Sequence, residues 1–408
     1  MAFLEAASAE SLERYRAAAE RRGAYDRRDP EPCDLSILPR VVTAEETTRI
    51  AAPCRRILQA SLDRVLDIHA GREPTTGWPL GWIAGLVREL PRELIGNVRL
   101  DFLTEGGQFR LLEGGWVNLS GVDYAPQAAL ALCDVAPQLA ASFHVERPAT
   151  QMRQRLLERR TKRLAILVKE EHTVYAENDW NLIRDVLKPI DSIVVAEPDF
   201  HRIRPTVGGI LVDEIPCDAV YLRSLDGPAA FTGPHAESNR RTLALLLESG
   251  VAFHDHPLTL LAEDKELAWL VERDPALRPI VPHTCRPASV PRTAAAGWVL
   301  KLRDQHSGEG VFMDEADMLA HWDDSTAILQ ERIEPDRFPV VTVHGQRGDA
   351  VADLAVHLSY RYDVARRKLL TAEIAGYFSR FTLIGGKVNL CAGGGIVPVL
   401  SESSAADT

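Results

Sequence analysis

Apolar residues recur at helical spacing in the first hundred positions, at Leu12, Tyr15 and Ala19 and again at Ile57, Leu58, Leu62, Val65 and Leu66. Pro and Gly breaks, such as those in 72–79, separate these stretches. The pattern predicts a mostly helical N-terminal region to about residue 95. The period then shortens to two. Residues 98–103 and 108–113 read as two strands, and the glycines of Thr104-Glu-Gly-Gly107 permit the positive φ that a tight hairpin requires.

From Arg163 onward, short apolar runs at 164–168, 192–195, 210–212, 219–222 and 251–253 have the character of buried strands, with helical stretches at 180–187 and 237–247 between them. Alternation of this kind predicts an α/β layer. A helix at about 264–272, a Pro-rich stretch at 279–291, a strand at 298–301, a polar Gly-containing loop, a helix at 315–322 and a strand at 327–333 follow. The last 70 or so residues again read as strands, and the polar tail 401–408 is expected to be disordered. Five regions result: 1–160, helical with the hairpin; 161–258, α/β; 259–335; 336–400; and the tail.

With 408 residues, 46% apolar and 26% charged, the chain has an ordinary globular composition of α/β (α+β) class. Lys and Arg number 47 against 58 Asp and Glu, a net charge of −11, which disfavours nucleic acid or an anionic membrane as partner. The basic cluster 158–163 lacks interleaved aromatics and reads as a solvated linker. Six dispersed cysteines without a C-x-x-C fit a reducing cytoplasm. No uncharged run reaches the length of a membrane span, and the acidic N-terminal residues do not suit a signal peptide, so a cytoplasmic location is expected.

The chemistry begins at Lys301, which ends an apolar strand facing Gln305-His-Ser307-Gly308-Glu-Gly310. A strand-end lysine beside a glycine loop can neutralise phosphate oxygens while loop amides cover them, although the loop is neither a Walker A nor a G-x-G-x-x-G sequence. A second lysine, Lys265, opens the predicted helix at 264–272. Gln330, Glu331 and Ile333 lie on an apolar strand suited to presenting backbone groups to an adenine edge. A cation bridging phosphates requires hard oxygen ligands. None is available between Glu373 and Glu402, a stretch without Asp or Glu, whereas the hairpin offers Arg99, Asp101 and Glu113.

This order of motifs resembles the circularly permuted ATP-grasp ligases typified by glutathionylspermidine synthetase, over roughly residues 95–398. Arg99-x-Asp101, Glu113 and Ser120 match the family's pattern, but Gly115 stands where its asparagine would be, so a third metal ligand is missing or comes from Asn118 or water. Phe378-Ser-Arg380 resembles the C-terminal arginine segment, and Asn389 with the glycines at 393–395 the closing loop. The family's N-terminal cysteine amidase has no counterpart, so no hydrolase half is expected. The resemblance implies a permuted ATP-grasp fold with a Rossmann-like pre-ATP-grasp domain at 161–258, a nucleotide lid at 259–335 and a C-terminal core at 336–400. It implies ATP and Mg²⁺ as cofactors and an ATP-dependent C–N bond-forming ligase. That enzyme would join a small carboxylate to an amine through an acyl phosphate with release of ADP and phosphate, and the resemblance allows a homodimer. On this resemblance Asp101 and Glu113 hold metal, Arg99 and Arg380 are catalytic, and Lys265, Lys301, Ser307, Gly308, Gly310, Gln330, Glu331 and Ile333 bind nucleotide. Asn118, Ser120 and Arg223 would meet substrate, though Arg223 fits a surface salt bridge equally well.

Two further readings stay open: a phosphotransferase of the same fold, and an ATP-binding regulatory or scaffold protein without turnover, which Gly115 keeps open. His254-Asp-His256 reads as a strand end turning at Pro257 rather than a metal site, and Asn178 or Asp179 as a helix cap. Paired carboxylates repel, so Glu113→Gln is expected to leave the melting temperature equal or higher.

Overall fold

The structure, a computed structural model, describes residues 8–25, 33–75, 77–117, 121–170, 177–225, 227–305, 308–383, 387–388, 390 and 394–402. The N-terminal helical patterns become helices Ala9–Arg21 and Ala44–His69. Thr43 and Glu46 form a capping box at the start of the second, the threonine hydroxyl accepting from the Glu46 amide at 3.1 Å and the Glu46 carboxylate from the Thr43 amide at 3.0 Å. Short strands Asp34–Leu35 and Arg40–Val42, which have too few residues to show a period, interrupt the helical region.

The hairpin is the heart of the central sheet. Its strands, Glu93–Glu105 and Gln108–Gly115, are longer than the sequence pattern suggested, and the first also pairs antiparallel with Leu354–Asp363. Lys368–Thr382, Gly395–Val397 and Asp34–Leu35 extend the sheet on that side. Alternation decides its two faces. Leu94, Val98, Leu100 and Phe102, with Leu354, Val356, Leu358, Tyr360 and Tyr362, bury against Ile57, Leu58, Leu62 and Val65 of the long helix. By the same alternation Asn97, Arg99 and Asp101 share the opposite face, and the register sets them across from Ser359, His357 and Ala355. At the hairpin tip Gly106 and Gly107 adopt φ of 56° and 74°, and their amides donate to the Asp336 carboxylate at 2.9 Å each.

Residues Arg163–Val168, Asp191–Ala196, Ala219–Arg223 and Ala252–His254 form the expected parallel sheet, flanked by helices Glu177–Leu187 and Ala236–Ser249. Gly209–Val212 does not join it. That strand belongs to a separate three-stranded antiparallel sheet with Ile203–Thr206 and Ile215–Cys217. Asn178 and Asp179 fall inside the helix Glu177–Leu187 rather than before it. A third unit, an antiparallel sheet of Thr284–Cys285, Ala327–Glu331, Trp298–Leu302 and Val311–Phe312, carries the lysine strand and the adjoining glycine loop.

Two expectations need correction. The predicted helix at 264–272 begins only at Ala268 and ends at Arg273, so Lys265 lies in the connecting segment before it. Glu263, Asp264 and Lys265 of that segment all make tertiary contacts. The tail is ordered as far as Glu402: Val399–Glu402 pairs with Arg40–Val42 on one side and Phe143–His144 on the other. No helix among the described residues is long and apolar enough to cross a membrane.

Candidate active site

On the polar face of the central sheet, Arg99 donates to both oxygens of Asp101, Nε to Oδ1 at 2.7 Å and Nη2 to Oδ2 at 2.9 Å. Arg380 reaches the same Asp101 Oδ2 at 2.7 Å. It also donates to Asp353, from its backbone amide at 2.6 Å and from Nε at 2.7 Å. Arg40 adds a bond from Nη1 to the Asp353 carbonyl at 3.2 Å. The result is an alternating chain, Arg99–Asp101–Arg380–Asp353. Burial by itself would push the Asp101 carboxyl up, but the two guanidiniums outweigh it and hold the group below the usual carboxylate range. For Asp353 burial prevails over Arg380 and its carboxyl is raised. His357, opposite Arg99 in register and fully buried, is lowered to about 3 by burial and by the Arg99 charge, so it is neutral.

The two lysines come together from separate segments. Burial lowers the Lys301 ammonium to about 8, with Glu113 opposing that shift and the Lys265 charge adding to it. Lys265 is lowered by burial as well, against Glu113, Asp304 and Glu263. Glu113, directly across from Asp101 in the hairpin, is therefore the carboxylate that both ammonium groups feel. The hairpin makes a further contact here. Its register slips between Asp101 and Phe102, leaving Leu112 as the extra residue of a bulge. The freed Leu112 carbonyl accepts from Lys301 Nζ at 3.1 Å and from Gln330 Nε2 at 3.3 Å.

The structure places the remaining predicted residues as follows. Gly308 and Gly310 take φ of 76° and 64° in the turn between strands Trp298–Leu302 and Val311–Phe312, and a Cβ on Gly310 would meet Leu302 Cβ at 2.9 Å. Glu331 turns outward, accepting from Arg110 Nη2 at 3.0 Å, while Ile333 packs with Leu103 and Val351. Arg223 is buried at the C-terminal end of its parallel strand, not on the surface. That edge of the parallel sheet abuts the central sheet, where the Asp255 amide donates to the Ile95 carbonyl and the Asp255 carboxylate accepts from the Asn97 amide. Asn118, Ser120 and Ser307, expected at the site, lie outside the described residues, as does Asn389.

Sequence reasoning missed Asp353, Arg40, Glu263 and His357. Asp353 precedes a strand and could have been sought as an acid before an apolar run; the others carry no local signal. Among the described residues no three His, Cys, Asp or Glu side chains converge as a metal-binding group. Asp101, expected as a metal ligand, has both oxygens engaged by arginines, and Glu113 is the carboxylate turned toward the lysines.

No family model and no curated protein matches the chain. Among solved structures, a glutathione synthetase like-effector from Globodera pallida, in apoform, superposes with a TM-score of 0.70 at 12% identity, over 96% of each chain. At that identity the likeness concerns the fold. The mixed α/β chain thus has a glutathione synthetase-like fold.

Proposed function

We propose that the protein is an ATP-dependent carboxylate–amine ligase with a permuted ATP-grasp arrangement, activating its acid as an acyl phosphate and releasing ADP and phosphate. The observation that carries this reading is the approach of both lysines to the hairpin: Lys301 Nζ donates to the Leu112 carbonyl next to Glu113, Lys265 Nζ donates to the Leu302 carbonyl next to Lys301, and both ammonium groups feel the Glu113 charge. Two desolvated ammonium groups close together repel one another, and a polyanion such as a triphosphate would relieve both the repulsion and the loss of hydration. Gln330 and Glu331 lie on the strand paired with that of Lys301 and Ile333 lies just past its end, and their backbone groups would meet an adenine ring there.

Mg²⁺ fits this site with Glu113 as its carboxylate, since the ion commonly takes one or two protein carboxylates and fills its shell with phosphate and water oxygens. When bound, it would neutralise phosphate charge. The chain's own groups do the rest. Lys265 and Lys301 hold the phosphates, Arg99 and Arg380 offer guanidinium N–H groups where negative charge develops, and Asp101 with Asp353 keeps both arginines in place. Arg223, buried at the end of the parallel sheet that abuts Ile95–Asn97, would receive the carboxylate substrate. An enzyme of this kind turns over only with the right acid and amine.

The test is a coupled ADP-release screen over amino acids, short peptides and polyamines. ADP and orthophosphate with a ligated product support the reading; AMP and pyrophosphate reject it. A phosphorylated product would indicate a phosphotransferase. The engaged state of Asp101 together with Gly115 favours the second reading, a nucleotide-binding protein without turnover, and tight ATP binding with no ADP from any acid–amine pair would establish it.

A further inference from the structure

Asp264 and Arg303 are both about 1% exposed and form a two-point ion pair, Nε to Oδ1 at 2.7 Å and Nη2 to Oδ2 at 2.6 Å. Asp264 immediately precedes Lys265, and Arg303 lies two residues beyond Lys301, just past the end of the lysine strand. The pair therefore joins the two segments that carry the lysines. Its surroundings fix it further. Arg64 Nη2 stands 3.5 Å from the same Asp264 carboxylate, Arg64 stacks over Trp269 with its guanidinium carbon 4.5 Å from the ring centre, and Arg303 lies over Trp78. On one flank Glu263 Oε1 accepts from the Trp116 and Val117 amides at 2.6 and 3.0 Å, tying the segment to the end of the hairpin. On the other, Lys265 Nζ donates to the Leu302 carbonyl at 3.2 Å and also to that of Gln305.

We infer that Asp264 and Arg303 are positioning residues that fix the spacing between Lys265 and Lys301. The inference rests on the proposed nucleotide site and adds to it a brace that touches no nucleotide. Stability alone gives little reason for the pair, because exchanging a buried ion pair for apolar side chains of similar volume is often neutral or stabilising. A bidentate guanidinium–carboxylate contact does fix distance and orientation, which apolar packing does not. Phosphate binding by two lysines from separate segments is sensitive to that spacing.

The decisive variant is the double substitution Asp264→Leu with Arg303→Met, which removes both charges of the pair, while Arg64 keeps Glu73 and Glu266 keeps Arg286 as counter-charges. Arg303→Lys, which keeps the charge and loses the fork, is the second variant should the double one not fold. In the nucleotide-free full-length chain, either variant should speed amide exchange at 264–267 and 300–305 while the melting temperature is held. Calorimetry with Mg-ATP should show affinity weakened about tenfold or more. Unchanged local exchange overturns the brace, and so does faster exchange with unchanged Mg-ATP affinity. Failure of the nucleotide reading has a different signature: Lys265→Met and Lys301→Met would then leave Mg-ATP affinity at the wild-type value, whatever the brace variants do to amide exchange.

Discussion

Lys301 donates to the backbone carbonyl of Leu112, 3.1 Å away and 189 residues earlier, across the junction between the lysine-bearing sheet and the hairpin. The bulge makes this possible: with Leu112 left out of the strand pairing, its carbonyl is free for the ammonium and for Gln330. A candidate phosphate-binding lysine is thereby held against the carboxylate strand before any ligand arrives.

Replacing Lys301 with Met should separate binding from stability. ATP affinity by calorimetry should fall at least about tenfold, the consequence of losing one charge-assisted contact of about 1.5–3 kcal/mol. The melting temperature at pH 7 should rise. Lys301 titrates near 8 in the fold and near 10.5 when unfolded, so burying its charge costs stability in full below about pH 8, a cost that fades as pH climbs to 10.5. The gain from Met should fade over the same interval. Unchanged ATP affinity would make Lys301 a structural lysine only.

Glu113→Gln should lower Mg-dependent ADP release by about a hundredfold, as expected for losing one preorganised electrostatic group. It should also lower the melting temperature, the reverse of the expectation from like-charge repulsion. Asp101 is already compensated by Arg99 and Arg380, whereas Glu113 is the counter-charge of two buried lysines. Thermal unfolding of the variant without ATP decides between these signs, and normal turnover would remove Glu113 from the metal site.

Arg380→Met leaves the buried Asp353 carboxylate without its guanidinium and Asp101 with Arg99 alone, and should cost about 3–5 kcal/mol of stability near neutral pH. Without the guanidinium both carboxyls titrate upward, so protonation should restore part of the loss as the pH is lowered. Denaturant unfolding at pH 7.5 and pH 5 measures this. An equal loss at both values would mean that the arginine acts through packing rather than charge.

Asp255→Asn should stabilise the protein. Asp255 sits at φ 64° with Oδ1 2.6 Å from the Asn97 amide, and burial raises its carboxyl well above the ordinary value. A raised carboxyl costs stability as pH rises through and above 3.8, so the gain from Asn should be present at pH 7 and vanish below about pH 4. Gly96→Ala tests the same contact from the other side. Its Cβ would lie 2.2 Å from Asp255 Oδ1, and the variant should be destabilised and should loosen the joint between the parallel and central sheets. A melting temperature unchanged in Gly96→Ala would show that Asp255 can move aside.

Much of the site was legible because its geometry is local. Alternation with period two set Arg99 and Asp101 on one face of a strand, and Gly106-Gly107 marked the turn that brings Glu113 opposite Asp101. Lys301 was readable as a strand end before a glycine turn. Lys265 was legible as a residue and misplaced as structure, since the helical spacing after it does not reveal that Glu263, Asp264 and Lys265 make three different tertiary bonds and precede the helix rather than open it.

By itself, then, the sequence determined the elements, the faces of the strands and the chemical types of the candidate site, all consequences of backbone periodicity and turn chemistry within a dozen residues. Only the tertiary structure decided which charge meets which. Asp101 pairs with Arg380 from 279 residues away, Asp264 chooses Arg303, and the Leu112 carbonyl goes to Lys301 rather than to a strand partner. Such choices follow from the register of strands distant in sequence and from burial, which makes every charge seek a counter-charge, and neither quantity exists until the sheets have assembled.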